Sequence, residues 1–462
     1  MLNKSVRRRR LLLVFTALSA SVQALAQQKT GPGITGPDSL TWQGITLYGV
    51  VDIGLQYDTH SAPFTPFRPS ASGNIVRQNS RSSVIGLTPS NMGQSRVGLH
   101  GIEALNDDLG AVFQAETFFN PQSGEIADSL KSLAVNNGLP LTRQSVGVDG
   151  SSAGQLFQTA YVGLTSQRFG TLTFGRQVSI LQEGVIRYDP NYNATAFGLL
   201  GASNTYSGGG SAEDNRLDST ARYLVSFNEL VRFGALYKLT GSGGSANSVF
   251  QADLGAESAR AAVDAYYSRV NGAISASSLT AAQVAALPAL GYSASNSLAA
   301  TISDNTAYAL MGLYRVDRLK FSVGYEYLRY ANPARPLGAG FTDIGGYVLA
   351  SVNNTAYDNS KIVQVYWAGV RYTVVPGLEL TAAYYDVHQN AYGSGAQAHC
   401  TTNAHSVCSG SLRAFSFDAD YRFSVHFDAY VGAMYSGVHD GMANGYLNTT
   451  NINPTIGVRY KF

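Results

Sequence analysis

Apolar and polar residues alternate along most of this chain in stretches of roughly ten, the pattern of strands with one apolar and one wet face. In Phe415–Phe423, residues Phe415, Phe417, Ala419, Tyr421 and Phe423 share one face, and Ser416, Asp418, Asp420 and Arg422 share the other. Sixteen such segments can be counted, at about 44–57, 94–104, 108–119, 155–165, 170–177, 219–228, 231–240, 249–257, 260–269, 305–316, 318–330, 361–374, 378–389, 412–423, 426–437 and 453–462. The last puts Ile456, Val458, Tyr460 and Phe462 on one side and Gly457, Arg459 and Lys461 on the other. A soluble sheet needs a second layer to cover aromatic faces of this kind, and no other part of the chain supplies one. Lipid covers such a face without a second layer. The pattern therefore predicts an all-β, transmembrane antiparallel β-barrel of 16 strands, an even count as bacterial barrels have. Its last strand would pair with the first, Ile45–Tyr57, and leave no open edge.

The connections fall into two lengths. Asn106–Asp108, Ser166–Phe169 and Val375–Gly377 read as tight turns, whereas 58–93, 120–154, 178–218, 270–304, 331–360, 390–411 and 438–452 are long. Short periplasmic turns against long external loops is the asymmetry of outer-membrane barrels. Inside one long loop, Thr280 can cap a short helix over Ala281–Leu287.

Composition adds the route to the membrane. Lys4 and Arg7–Arg10 precede an apolar stretch from Leu11, which closes on Ala24-Leu25-Ala26 before Gln27. That order predicts a cleavable signal peptide over 1–26 and a single barrel domain over 27–462, with 27–43 as a lead-in. A membrane anchor fits less well, because the apolar stretch is short and broken by Thr, Ser and Gln. Cleavage turns the net charge of +2 into −3, so nothing basic points to nucleic acid. Cys400 and Cys408 are the two cysteines. In an oxidising compartment such a pair forms a loop disulfide. A metal cluster with His399 and His405 matches no standard zinc spacing, and no metal or cofactor is expected. Gly31–Gly36 and Gly150–Gly154 match glycine-rich and serine-hydrolase motifs without the strand-to-helix context those need. His439-Asp440 alone does not make an outer-membrane protease.

The chain resembles the general diffusion porins of Gram-negative bacteria, in the betaproteobacterial branch. Thr46–Asp52, Ser95–Gly101, Val112–Glu116, Ala160–Leu164, Phe169–Gln177 and Gly457–Phe462 carry the resemblance. It implies a homotrimer in outer-membrane lipid whose third external loop folds into the lumen, with loop acids facing wall arginines. It also implies passive diffusion of small hydrophilic solutes and ions. Opposed charges at such a constriction orient polar solutes and bias ion selectivity. Here the loop would be 178–218, with Glu183 and Asp189 in its earlier limb, facing Arg96 and, further round, Arg176 and Arg222. His100 and Gln158 stand where the family often has lysine and arginine, which reduces wall charge and leans the expectation toward cations. Tyr188 and Tyr192 offer either a substrate ledge or packing against the wall, and packing is the simpler reading. The terminal Phe462, with Tyr460, would be read by the barrel-assembly machinery. The alternatives are a substrate-selective channel and, from another class, an outer-membrane enzyme or adhesin with a plugged barrel.

Overall fold

The computed structural model describes residues 40–61, 82–144, 154–202, 215–227, 230–239, 248–395, 398, 400 and 405–462. The expected signal peptide, most of the lead-in, the Gly31–Gly36 motif, most of Gly150–Gly154, and Glu213, Asp214 and His399 lie outside them.

Sixteen strands close on themselves. They are β1 (Ile45–Ser61), β2 in two pieces (Ser82–Pro89 and Arg96–Ala104), β3 (Leu109–Phe118), β4 (Thr159–Ser166), β5 (Gly170–Val178), β6 (Arg216–Phe227), β7 (Val231–Lys238), β8 (Ser248–Glu257), β9 (Ala261–Ser277), β10 (Ser297–Val316), β11 (Leu319–Ala331), β12 (Lys361–Val375), β13 (Leu378–Gln389), β14 (Gly410–Arg422), β15 (Phe427–Asp440) and β16, also in two pieces (Thr450–Ile452 and Thr455–Lys461). Each pairs antiparallel with the next, and β16 returns to β1 with Val50 opposite Lys461 and Gln56 opposite Thr455. Phe462 extends this seam: its backbone exchanges hydrogen bonds with Gly49 at 3.0 and 3.1 Å. The ring of Phe462 occupies the space a Cβ at Gly49 would need.

The alternation sorts the side chains as expected. Leu99, Val162, Phe174, Leu254, Leu310, Val323, Phe417, Val431 and Ile456 are exposed on the outer face, which lipid would cover. Among the described residues no helix is long and apolar enough to cross a membrane; the crossing is made by strands.

The inside departs from a uniformly wet lumen. Leu328, Val363, Val365, Trp367, Tyr385, Val387, Leu412, Ala414 and Val438 line the interior of β11–β15 and are buried in one apolar cluster with Ile180, Leu181, Val185, Tyr188, Leu199 and Leu200. The last six belong to the segment after β5, which carries helices α2 (Ile180–Tyr188) and α3 (Leu199–Ala202). A protein segment inside the barrel therefore covers part of the wall with apolar contacts. β12 shows the consequence in sequence: the inward positions of its external half, Val363, Val365 and Trp367, are apolar where a wet lumen would call for polar residues.

On the external side β9 and β10 run past their neighbours, and Tyr347–Asn353 adds to β10 in parallel. Helix α1 (Ser129–Val135), between β3 and β4, packs Leu130 and Ala134 onto Ile274, Leu298, Ile302 and Leu349 of this extension. Asn137 Nδ2 donates to the carbonyls of Ala294 and Ser297, both at 2.7 Å. Helix α4 (Ala281–Leu290) has the expected Thr280 cap, here a full capping box with Gln283, and ends on Gly291 at φ +75°.

Candidate pore constriction

Helix α2 starts where Ser179 accepts the Gln182 N–H at 3.0 Å. Leu181, Val185 and Tyr188 are buried on its wall-facing side, and Gly184 sits against the Tyr266 ring, where any Cβ would collide. Glu183 and Arg187, one turn apart, occupy a different edge. Arg222 of β6 forks onto Glu183: Nη1 donates to Oε1 at 2.7 Å and Nη2 donates to Oε2. Arg187 donates to Glu257 at 2.6 Å. Arg232 donates to Glu257 at 3.2 Å and to both oxygens of Asp264 at 2.6 and 2.7 Å. Tyr188 completes this group, its hydroxyl donating to Asp264 at 2.5 Å.

A second set lies on β1–β3. Arg96 Nε is 3.3 Å from Glu116 Oε2, and its Nη1 donates to the Gln94 carbonyl at 3.1 Å. Tyr48 donates to Glu116 at 2.9 Å and accepts from Gln114 at 2.6 Å. His100 stands against the Tyr48 ring at 5.3 Å. Arg–carboxylate pairs of this kind neutralise charge locally while leaving dipoles across the lumen.

Beyond α2 the chain follows the wall. Trp367 donates to the Tyr188 carbonyl at 3.2 Å, and Arg371 donates to the Pro190 carbonyl at 2.9 Å. Tyr192, at φ +51°, is held between Lys320 and Arg371, each 4.1 Å from its ring centre. Asp189 accepts from Tyr385 and from the Asn193 N–H, both at 2.6 Å. Its burial raises the carboxyl pKa above the usual range, although these hydrogen bonds and Arg371 oppose the shift. The loop then reaches the far side. The N–H groups of Thr195 and Ala196 donate to Asn91 O at 2.9 Å, and Asn453 donates to Ala196 O at 2.8 Å. Asn91 lies in the break of β2, which is fixed because Asp52 accepts the N–H groups of Met92 and Gly93 at 2.7 and 3.0 Å. Tyr430 of β15 donates to Asp52 at 2.5 Å and packs edge-on against Phe197.

The family model described as Gram-negative porin matches residues 11–441. The chain belongs to the Gram-negative porins. An outer membrane porin protein of Bordetella pertussis is 27% identical over 288 residues, which is 61% of this chain and 63% of that protein's length. Among solved structures, the anion-selective porin of Comamonas acidovorans superposes with a TM-score of 0.57 at 16% identity, covering 90% of this chain and 99% of the other. A loop-deletion form of OmpT from Vibrio cholerae gives 0.54 at 15% identity over 90% and 99%. At such identities the structures share the fold. Family and barrel together put this porin in the outer membrane.

The porin's interior modifies several sequence expectations. Arg96 faces inward as expected but is only 5% exposed, and Arg222 and Glu183 meet directly. Arg176 does not join them. It follows Leu172 and Phe174 on the outward face of β5, where it donates to Asp218 at 2.5 Å and to the Phe157 carbonyl at 3.1 Å. The two-residue period of a strand decides this, and the parity was readable from Phe174. Asp189 is fully buried, so its carboxylate fixes the loop rather than facing solution. Tyr188 is likewise fully buried, and Tyr192 is clamped by two cations, so both pack the loop and offer no ledge. Gln158 is buried, with its Nε2 donating to the Gln155 carbonyl at 2.8 Å. Sequence reasoning did not single out Glu116, Arg232, Glu257 or Asp264. Each is a charged residue within an alternating strand segment, and that was the available signal. Cys400 and Cys408 are joined as a disulfide with Cα atoms 5.3 Å apart. Among the described residues no group of three or more His, Cys, Asp or Glu could hold a metal ion.

Proposed function

We propose that this porin forms a water-filled channel through which small hydrophilic solutes and ions diffuse passively. The observation that carries the reading is the Arg222–Glu183 fork, which ties an inward loop to the wall of a closed barrel. Barrels of this strand number leave room for an aqueous passage. Because the apolar cluster fills the side of the lumen under α2, the passage runs past Arg96, Glu116, Tyr48, Arg222, Glu183 and Arg232. The working unit is a homotrimer; one outer membrane protein of this fold, OmpT of Vibrio cholerae, has been solved in a trimer form. Residues 1–26 direct export, and Tyr460 and Phe462 address the chain to the assembly machinery. Purified protein in planar bilayers should give stepwise ohmic conductance in groups of three. Well-folded protein without conductance would overturn the channel; single steps would overturn only the trimer.

A further inference from the structure

At the external end of the apolar side of the lumen, Lys361 stands apart from the charges of the constriction. Lys361 begins β12 at its external end, directly opposite Tyr330 of β11 in the ladder. Both point inward: on β11 the inward series is Lys320, Ser322, Glu326, Leu328 and Tyr330, while Phe321 and Val323 are exposed outside. On β12 Lys361 is in phase with Val363, Val365 and Trp367, and Tyr366 is exposed outside. Among the described residues the Lys361 ammonium has no carboxylate within ion-pair distance and no side-chain hydrogen bond. Its neighbours are rings. Nζ lies 5.6 Å from the centre of Tyr330 and 5.7 Å from that of Tyr392. Tyr357 bridges them, stacked on Tyr330 at 6.0 Å and tilted against Tyr392 at 5.9 Å. Tyr357 and Lys361 are partly exposed, whereas Tyr330 and Tyr392 are largely buried. The nearest acid in sequence, Asp358, accepts from Ser394 at 2.7 Å. One row toward the constriction the wall is Leu328 and Val363.

This arrangement differs in kind from every Arg pair lower in the barrel. Each of those cations has a carboxylate; Lys361 has aromatic faces and an apolar floor. A partly buried ammonium without a counter-ion attracts anions more strongly than a solvated one, since the surrounding dielectric is lower. The stacked tyrosines favour flat apolar bodies. A lone ammonium, without an arginine fork or a cradle of backbone N–H groups, suits a single negative charge better than a phosphate.

We propose that Lys361, with Tyr330, Tyr357 and Tyr392, forms an entry subsite for monocarboxylates that carry an aromatic ring. The carboxylate sits on Nζ and the ring lies on Tyr357. The subsite rests on the channel reading above, because it acts on solutes entering that channel.

The test uses benzoate as probe on the purified full-length protein, with acetate supplying charge without a ring and benzamide a ring without charge. In single-channel recordings at low salt, benzoate should interrupt the current in a concentration-dependent way, with acetate and benzamide at least about tenfold weaker. A tenfold change corresponds to about 1.4 kcal/mol of binding. Lys361→Met should weaken the benzoate effect about tenfold or more, Lys361→Arg should retain it, and Tyr357→Ala should shorten each interruption. Equal action by acetate, or an undiminished benzoate effect in Lys361→Met, would overturn the subsite. So would open channels that benzoate does not interrupt. If the protein does not conduct, the channel reading fails instead. Calorimetry of benzoate binding to wild-type and Lys361→Met protein in detergent then decides the subsite alone, with equal heats counting against it.

Discussion

Replacing Glu183 by glutamine removes one charge from the Arg222 fork while keeping the shape of the side chain. A hydrogen bond to a charged group contributes about 1.5–3 kcal/mol when well formed. Glu183 is partly open to the lumen, so solvent recovers some of this and the lower end applies. Helix α2 stays docked through Leu181, Val185 and Tyr188, and the variant should assemble. What changes is the field. The Arg222 guanidinium loses its counter-charge, and an ion passing about 5 Å away feels roughly 0.8 kcal/mol in a water-like medium, less after screening at 0.1 M salt. That energy corresponds to a two- to fourfold change in relative ion occupancy, about 1.4 kcal/mol being tenfold. Reversal potentials across a tenfold KCl gradient should therefore move toward anion preference by that factor at low salt. The shift should vanish near 1 M, where the Debye length is about 3 Å. A reversal potential unchanged at low salt would show that Arg222 and Glu183 do not border the ion path.

Other substitutions test other parts of the interior. Asp189 has a folded pKa above its unfolded value, so the folded state holds its proton to higher pH than the unfolded chain does. Its contribution to stability is full below about pH 3.9 and is lost as pH rises through the folded pKa. Asp189→Asn should flatten that part of the pH dependence of the thermal midpoint; an identical profile in the variant would refute the assignment. Gly49→Val forces a Cβ to 2.3 Å from the Phe462 ring and 2.9 Å from the Arg96 carbonyl. It should cost about 1–3 kcal/mol, read as a lower temperature at which the folded barrel changes mobility in SDS gels. Cys408→Ser opens an eight-residue separation, for which loop entropy gives about 2.5 kcal/mol. Residues 390–409 should then be nicked by protease well before the barrel, and equal protection of that loop in both forms would count against the bond.

The strands were legible because lipid and water impose a two-residue period that each segment carries for itself. Phe415–Phe423 shows it without help from any partner. The ends were less legible. β9 continues to Ser277 and β10 begins at Ser297, because the partners that extend them, Tyr347–Asn353 and α1, come from distant parts of the chain. The break in β2 depends on the Asp52 carboxylate, which lies on another strand. Within the loop, charge counting identified Glu183 but not the fate of Asp189, since burial depends on Tyr385, 196 residues away. The apolar cluster inside the lumen was the largest omission. Its trace, the apolar inward residues Val363, Val365 and Trp367 of β12, breaks the alternation used to find the strands.

The loop that narrows this barrel also sits astride its seam. Residues 194–197 hold the break of β2 and the break of β16, while Tyr430 and Asp52 link the strands on either side. The middle of the chain thus bolts together its two ends, and the seam cannot part without drawing the bolt. This imposes an order on biogenesis: the loop must be inside before, or as, the final strand arrives. It also imposes one on loss of structure. A pull on the loop loosens the closure, and an opening at the closure releases the loop, so loop and seam fail together.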